Sequence, residues 1–207
     1  MKRKLYLSLG ILSIIIISFL TIHKLMAKTP QQPYKEIAIL GNLEFRYYPE
    51  ALMATVKNND TTLQGSSGKN FRVLAGYIFG GNASNEKIEM TAPVHMAFEK
   101  GTSSMSFVMP QGYNLNNLPT PSGSSIELHK AEEEYVAVIR FGGYASDDKI
   151  KTKQDELNDL LKKQGIEHNN NFRYLGYNAP WDFLFRRNEI VVGISKDAAI
   201  KLNNQKI

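Results

Sequence analysis

Cysteine is absent from all 207 residues. That excludes disulfides, zinc–thiolate sites, a thiol nucleophile and any cofactor attached by thioether bonds. Histidine is scarce too: beyond His23 there are only His95, His129 and His168. No His-x-x-x-His pair occurs. No Gly-x-Ser-x-Gly elbow is present, and Gly80-Gly81 follows a helical pattern, whereas a phosphate cradle precedes one. The acidic runs Glu132-Glu133-Glu134 and Asp147-Asp148 lack calcium-loop spacing. They read as a strand connection and a helix start, where the macrodipole favours acids. These absences leave the familiar catalytic motifs unmatched and move the reading towards a non-enzymatic binding protein. The net charge of +5 does not point to nucleic acid either. Five of the 25 basic residues (Lys2, Arg3, Lys4, Lys24 and Lys28) lie at the N-terminus with no acid among them, leaving residues 29–207 with 20 basic and 20 acidic groups. No basic block interleaved with aromatics appears.

What is present begins with an uncharged run, Leu5 to Ile22. At 1.5 Å per residue it comes close to the span of a bilayer core. The basic flank Lys2-Arg3-Lys4 keeps an N-terminus in the cytoplasm. The exit Leu25-Met26-Ala27 has leucine where a signal peptidase site wants a small residue. The reading is an uncleaved signal anchor over residues 1–27, single-pass, with the following domain on the extracytoplasmic side; a cleaved signal is the alternative. Residues 28–33, with two prolines and two glutamines, read as a spacer. The folded domain is expected over 34–195 and a tail over 196–207.

Within the domain, Ile37 to Leu40, Leu43 to Tyr48 and Leu52 to Val56 read as strands. Phe71, Leu74, Ala75, Ile78 and Phe79 form a helical stripe, with Ser66 or Ser67 as cap and Gly80-Gly81 as stop. Lys87 to Phe98 alternates as a strand, and Pro93 inside it demands an edge, a bulge or a proline nitrogen turned away from its neighbour. Met105 to Met109 follows. After the connection Gly112 to Ser124 the order repeats: Ile126 to Lys130 and Tyr135 to Phe141 as strands, a helix capped by Ser146 and stopped by Gly165, then Phe172 to Tyr177, Phe183 to Phe185 and Ile190 to Ile194. The pattern predicts an α+β fold, a duplicated βαββ unit in one curved, barrel-like, mainly antiparallel sheet with two helices, plus the N-terminal transmembrane helix.

Two motifs, Lys87-Ile-Glu-Met-Thr-Ala-Pro-Val94 and Gly176-Tyr-Asn-Ala-Pro-Trp181 followed by Phe185-Arg-Arg-Asn-Glu-Ile190, resemble the SOUL family of haem-binding proteins. The resemblance spans about residue 34 to residue 194 and implies the same barrel-like sheet with two helices in pseudo-twofold relation. It also implies haem or a related tetrapyrrole, bound non-covalently along the first helix near a basic residue that Lys69 matches.

The residues themselves offer a compatible surface. A planar apolar ligand with acidic edges needs a slot, a close backbone approach and cations at the rim. Lys69, Arg72 and Gly76 lie at i, i+3 and i+7 beside the helix's core stripe. The plainer reading of Lys69 and Arg72 is a solvated helix face. Met90 is expected as pocket wall or core filler. His95, on the opposite strand face, reads as a partly exposed strand residue. Tyr47 stands where some family members carry a histidine proposed as iron ligand; it is either a phenolate ligand or a strand aromatic. Asp182 stands where some members have a lysine. Arg186-Arg187-Asn188-Glu189 reads as structural, with a Glu189–arginine pair locking the last strand. The expected function is non-enzymatic binding of haem, a related tetrapyrrole or an amphiphile in a hydrophobic pocket beside the first helix, as carrier or buffer at the membrane, and the alternative an effector-sensing or protein-interaction module of the same fold without haem.

Overall fold

The two-residue alternation becomes nine strands among the described residues. This computed structural model describes residues 29–60, 62–99, 101–179, 182 and 185–204. The expected membrane anchor at 1–27 lies outside them; among the described residues no helix is long and apolar enough to cross a membrane. The strands are β1 (Lys35–Leu40), β2 (Leu43–Tyr48), β3 (Ala51–Asn58), β4 (Val94–Glu99), β5 (Thr102–Val108), β6 (Ile126–Ala131), β7 (Glu134–Phe141), β8 (His168–Gly176) and β9 (Asn188–Ile194). The helices are α1 (Leu63–Ile78), α2 (Asp147–Lys163) and α3 (Lys196–Asn204).

All strands join one antiparallel sheet, curled into a half-barrel, in the order β1-β2-β7-β9-β8-β4-β5-β3-β6. The units β3-α1-β4-β5 and β7-α2-β8-β9 are the expected duplicates, and they meet where β4 pairs with β8. The sequence pattern did not reveal an exchange of strands between them. β2 leads into β3 but pairs with β7, while β6 leads into β7 but pairs with β3. A two-residue hairpin needs positive φ at its central positions. Pro49-Glu50 and Glu132-Glu133 supply neither glycine nor asparagine there, so each strand pairs away from its successor.

Helix α1 begins earlier than the serines suggest. The Thr62 hydroxyl accepts from the Gly65 amide at 3.0 Å, and the Asp147 carboxylate accepts from the Leu63 amide at 2.6 Å. Its buried stripe is also rotated from the expected one. Ser66, Asn70, Leu74, Tyr77 and Ile78 are buried, whereas Phe79 is 63% exposed. The polar members are bonded in the core: the Asn58 side-chain amide donates to Asn70 Oδ1 at 2.8 Å and Tyr77 donates to the Pro119 carbonyl at 2.8 Å, while Asn70 Nδ2 has no partner among the described residues. At the helix end the Gly81 amide donates to the Gly76 carbonyl at 2.8 Å. A Cβ on Gly81 would lie 2.6 Å from that oxygen, which is backbone and cannot swing aside. Gly81→Ala is therefore expected to lower unfolding stability by roughly 1–3 kcal/mol in urea titration.

Helix α2 matches expectation, capped by Ser146 and followed by Gly165 at φ +65. Part of the expected C-terminal tail is α3, which packs on β1 and β7 with Ala199 and Leu202 buried. Regular pairing in the Pro93 strand starts only at Val94. β4 lies inside the sheet, between β8 and β5, and not at an edge. Pro93 lacks a ladder donor, so the strand proper begins immediately after it. Phe185, expected within a strand, sits in a bend at φ +53; positions 183 and 184 lie outside the described residues. Residues 30–32, in the stretch read as a spacer, are bonded into the fold: Gln32 N donates to Ala92 O and Ala92 N to Pro30 O, each at 2.8 Å.

Candidate functional site

The sheet separates two environments. Leu43, Phe45, Met96, Ala137, Ile139, Ile190 and Val192 face the helices, in the cluster that α1 and α2 cover with Leu74, Ile78, Leu157 and Leu161. α1 rests on β3 and β5. Its remaining face points to solvent, and there the structure brings Lys69, Arg72 and Gly76 together, all exposed. A Cβ placed on Gly68 or Gly76 meets nothing within 4 Å, so this stripe is open floor. Neither Lys69 nor Arg72 has an ion pair among the described residues. Two unneutralised cations one turn apart on a glycine-floored face can take a ligand carrying two acidic groups.

The other two nominated residues are placed elsewhere. Met90 is half-buried against the core, in the segment that reaches the end of α1 through Ile88 N donating to Ile78 O at 2.8 Å. Tyr47 lies on β2, with β7, β9, β8 and β4 between it and β5. Its ring packs on Tyr135 with centroids 5.1 Å apart, and its hydroxyl donates to Glu133 at 2.5 Å. That hydrogen bond, first among its causes, raises the phenol pKa and works against a phenolate.

The opposite face of the sheet holds polar groups that sequence reasoning largely missed. Arg46 on β2 is fully buried, and all five of its N–H donors are used. Nε and one Nη serve Glu44 at 2.6 and 2.9 Å, both Nη serve Glu189 at 2.7 and 2.9 Å, and Nη1 also serves Tyr48 at 2.9 Å. Its guanidinium lies 4.1 Å from the Tyr34 ring centroid. Arg187 and Arg140 join Glu189, and Tyr177 donates to it at 2.8 Å. The pair expected to lock the last strand thus exists, but its principal partner comes from β2 across the sheet. The available signal was Glu44-x-Arg46, opposite charges on one face of a strand whose other face is apolar.

His95 also departs from expectation: it is buried, not partly exposed. Its Nε2–H donates to Gln32 Oε1 at 2.8 Å, and Nδ1 has no partner among the described residues. Burial, then the charge of Arg173, lowers its pKa to about 3. A cleft of about 450 Å³ opens near Gln32, between the turn after β2 and the loop after β5. None of the five nominated residues lines it.

A family model described as "SOUL heme-binding protein" matches residues 29–193. The chain is similar to Heme-binding protein 2 of Mus musculus, 29% identical over 158 residues that cover 72% of this chain and 77% of the mouse protein. It is likewise 29% identical over 171 residues to Heme-binding protein 2 of Homo sapiens, covering 79% and 82% of the two chains. Among solved structures, the EcmrR C-terminal domain superposes with a TM-score of 0.58 at 12% identity, over 79% of this chain and 98% of that one. At that identity the likeness concerns the fold.

Proposed function

We propose, from the premise that this chain belongs to the SOUL heme-binding protein family, that it holds haem or a related tetrapyrrole non-covalently on the exposed face of α1. The supporting observation is the pairing of two unneutralised cations, Lys69 and Arg72, with the open glycine floor at Gly68 and Gly76. In this reading the ring lies on the glycines, and the propionates take hydrogen bonds from Lys69 and Arg72, whose Cβ atoms are about 5–6 Å apart at i, i+3 spacing. The described histidines sit on β4, β6 and β8, so α1 grips the ring edge and face and not the iron. The protein acts without chemistry of its own, as a carrier or buffer. With Leu5 to Ile22 as an anchor, it does so at the extracytoplasmic surface of the membrane.

The test is a hemin titration of the full chain followed by the Soret band. A saturable shift is expected, weakened roughly tenfold or more by combined Lys69→Ala and Arg72→Ala, which together remove two charge-assisted contacts. Gly76→Leu separates binding from folding. It adds a side chain to open space, and leucine is the better helix former by roughly 0.6–0.8 kcal/mol, so stability is retained while the ring is blocked. Tyr47→Phe is expected to leave the ferric bands unchanged. No saturable shift would remove the haem reading, and a shift indifferent to both α1 changes would remove this site.

A further inference from the structure

The 450 Å³ cleft is within the size range of small-molecule sites, and its walls are pre-formed. Pro33, Pro49 and Pro110 stand around it, and a proline's φ is fixed before any ligand arrives. Leu52, Met109 and the ring of Tyr113 make its apolar lining. Among the described residues that line it, two carry charge, Glu50 and Lys130, and they are paired at 2.5 Å. Both are about half exposed, at 61% and 47%, so the ammonium can leave for water at little cost.

Two further acidic groups stand close to the lining. Glu86 accepts the Tyr113 phenol at 2.6 Å, and Glu132 lies two residues beyond Lys130. The Lys130 pKa is raised, first by its hydrogen bond to Glu50 and in smaller part by the charge of Glu132. The Lys130 ammonium therefore marks a position where the protein already stabilises a cation, at the mouth of an apolar cleft walled by an aromatic ring and a polarisable thioether.

We propose that this cleft is a second ligand site that takes a lipophilic monocation, whose charged head replaces the Lys130 ammonium beside Glu50 while its apolar body lies against Leu52, Met109 and Tyr113. Displaced, Lys130 turns towards Glu132. The charge preference is the reverse of that on the α1 face, where two cations await a dianion, and the two sites share no residue. The proposal does not depend on haem binding.

Isothermal titration of the full chain with tetrabutylammonium, and separately with octanoate, tests it. Saturable one-to-one binding of the cation is expected, with none for octanoate. Lys130→Ala removes the internal competitor and is expected to tighten cation binding roughly two- to fivefold, whereas Glu50→Gln weakens it by a similar factor. Both side chains are exposed, so neither change threatens the fold. Combined Lys69→Ala and Arg72→Ala is expected to leave the cation isotherm unchanged, which separates this site from the α1 surface. Absence of saturable cation binding in both the native chain and Lys130→Ala overturns the proposal. Weaker cation binding in Lys130→Ala, or octanoate binding that is lost with Lys130, also overturns it by showing an anion site.

Discussion

Arg46→Ala is expected to lower the free energy of unfolding by about 3–5 kcal/mol, the cost of removing one partner from a buried charge network. The side chain is fully buried, and its loss takes two hydrogen bonds from Glu189, also fully buried, which keeps Arg187, Arg140 and Tyr177, and removes most of the bonding of Glu44. Burial alone would raise the Glu189 pKa, but the hydrogen bond and charge of Arg46, with the charge of Arg187, hold it below the ordinary carboxylate value. Without Arg46 the largest contribution opposing burial is gone, and the Glu189 pKa moves upward. Arg46→Lys is expected to be costly as well, because an ammonium offers three donors where five are used. A loss of that size is a large part of the stability of a domain this long. Urea unfolding reads it directly, and a double-mutant cycle with Glu189→Gln measures the coupling. If Arg46→Ala unfolds at the native urea midpoint, the network contributes shape and not stability.

Mild acid is expected to destabilise the protein through His95. Its pKa falls from the ordinary 6.5 when unfolded to about 3 when folded, because burial, and then Arg173, disfavour the charged ring. Between those values the unfolded chain carries a proton that the folded chain does not, so stability falls as pH falls, by about 1.4 kcal/mol per unit. From pH 6.5 to pH 4 the loss is roughly 3 kcal/mol. Glu189 acts in a lower window. Its folded pKa is depressed, so its contribution is present above the unfolded value of 4.5 and is lost as pH drops through the folded one. His95→Gln removes the titrating ring and keeps an amide donor for Gln32, so the slope between pH 6 and 5 is expected to flatten while the decline below pH 4.5 persists. Urea midpoints across that range decide it. An unchanged slope in the variant would show that the ring reaches solvent.

Much of the fold was legible because period-two alternation reports directly on a sheet with two unlike faces. β2 was read with its observed bounds, and α2 with its Ser146 cap and Gly165 stop. The rest was illegible for particular reasons. The α1 cap was misplaced because Ser66 is a good cap by type, yet Thr62 has the carbonyl and hydroxyl geometry one turn earlier. The stripe of α1 was rotated because Asn70 and Tyr77 are polar by composition and become core only through Asn58 and Pro119. α3 is a nine-residue helix whose burial depends on β1 and β7, far from it in sequence. Of the nominated site, Lys69, Arg72 and Gly76 share one exposed face as helical spacing required. Met90 and Tyr47 could be assigned only a strand face, and three-dimensional neighbours decided the rest.

The sequence by itself determined the α+β class, the two βαββ units, the charge neutrality of residues 29–207 and the absence of cysteine and of a His-x-x-x-His pair. These follow from local periodicity and composition, which need no long-range contact. Tertiary structure alone decided that the units exchange β2 and β6, that Arg46 sits between Glu44 and Glu189, that His95 is buried against Gln32, and that an apolar cleft ends at Glu50 and Lys130. Each depends on groups separated by tens of residues or more that become neighbours only when the sheet curls, and no pattern within a single element encodes which distant strand that will be.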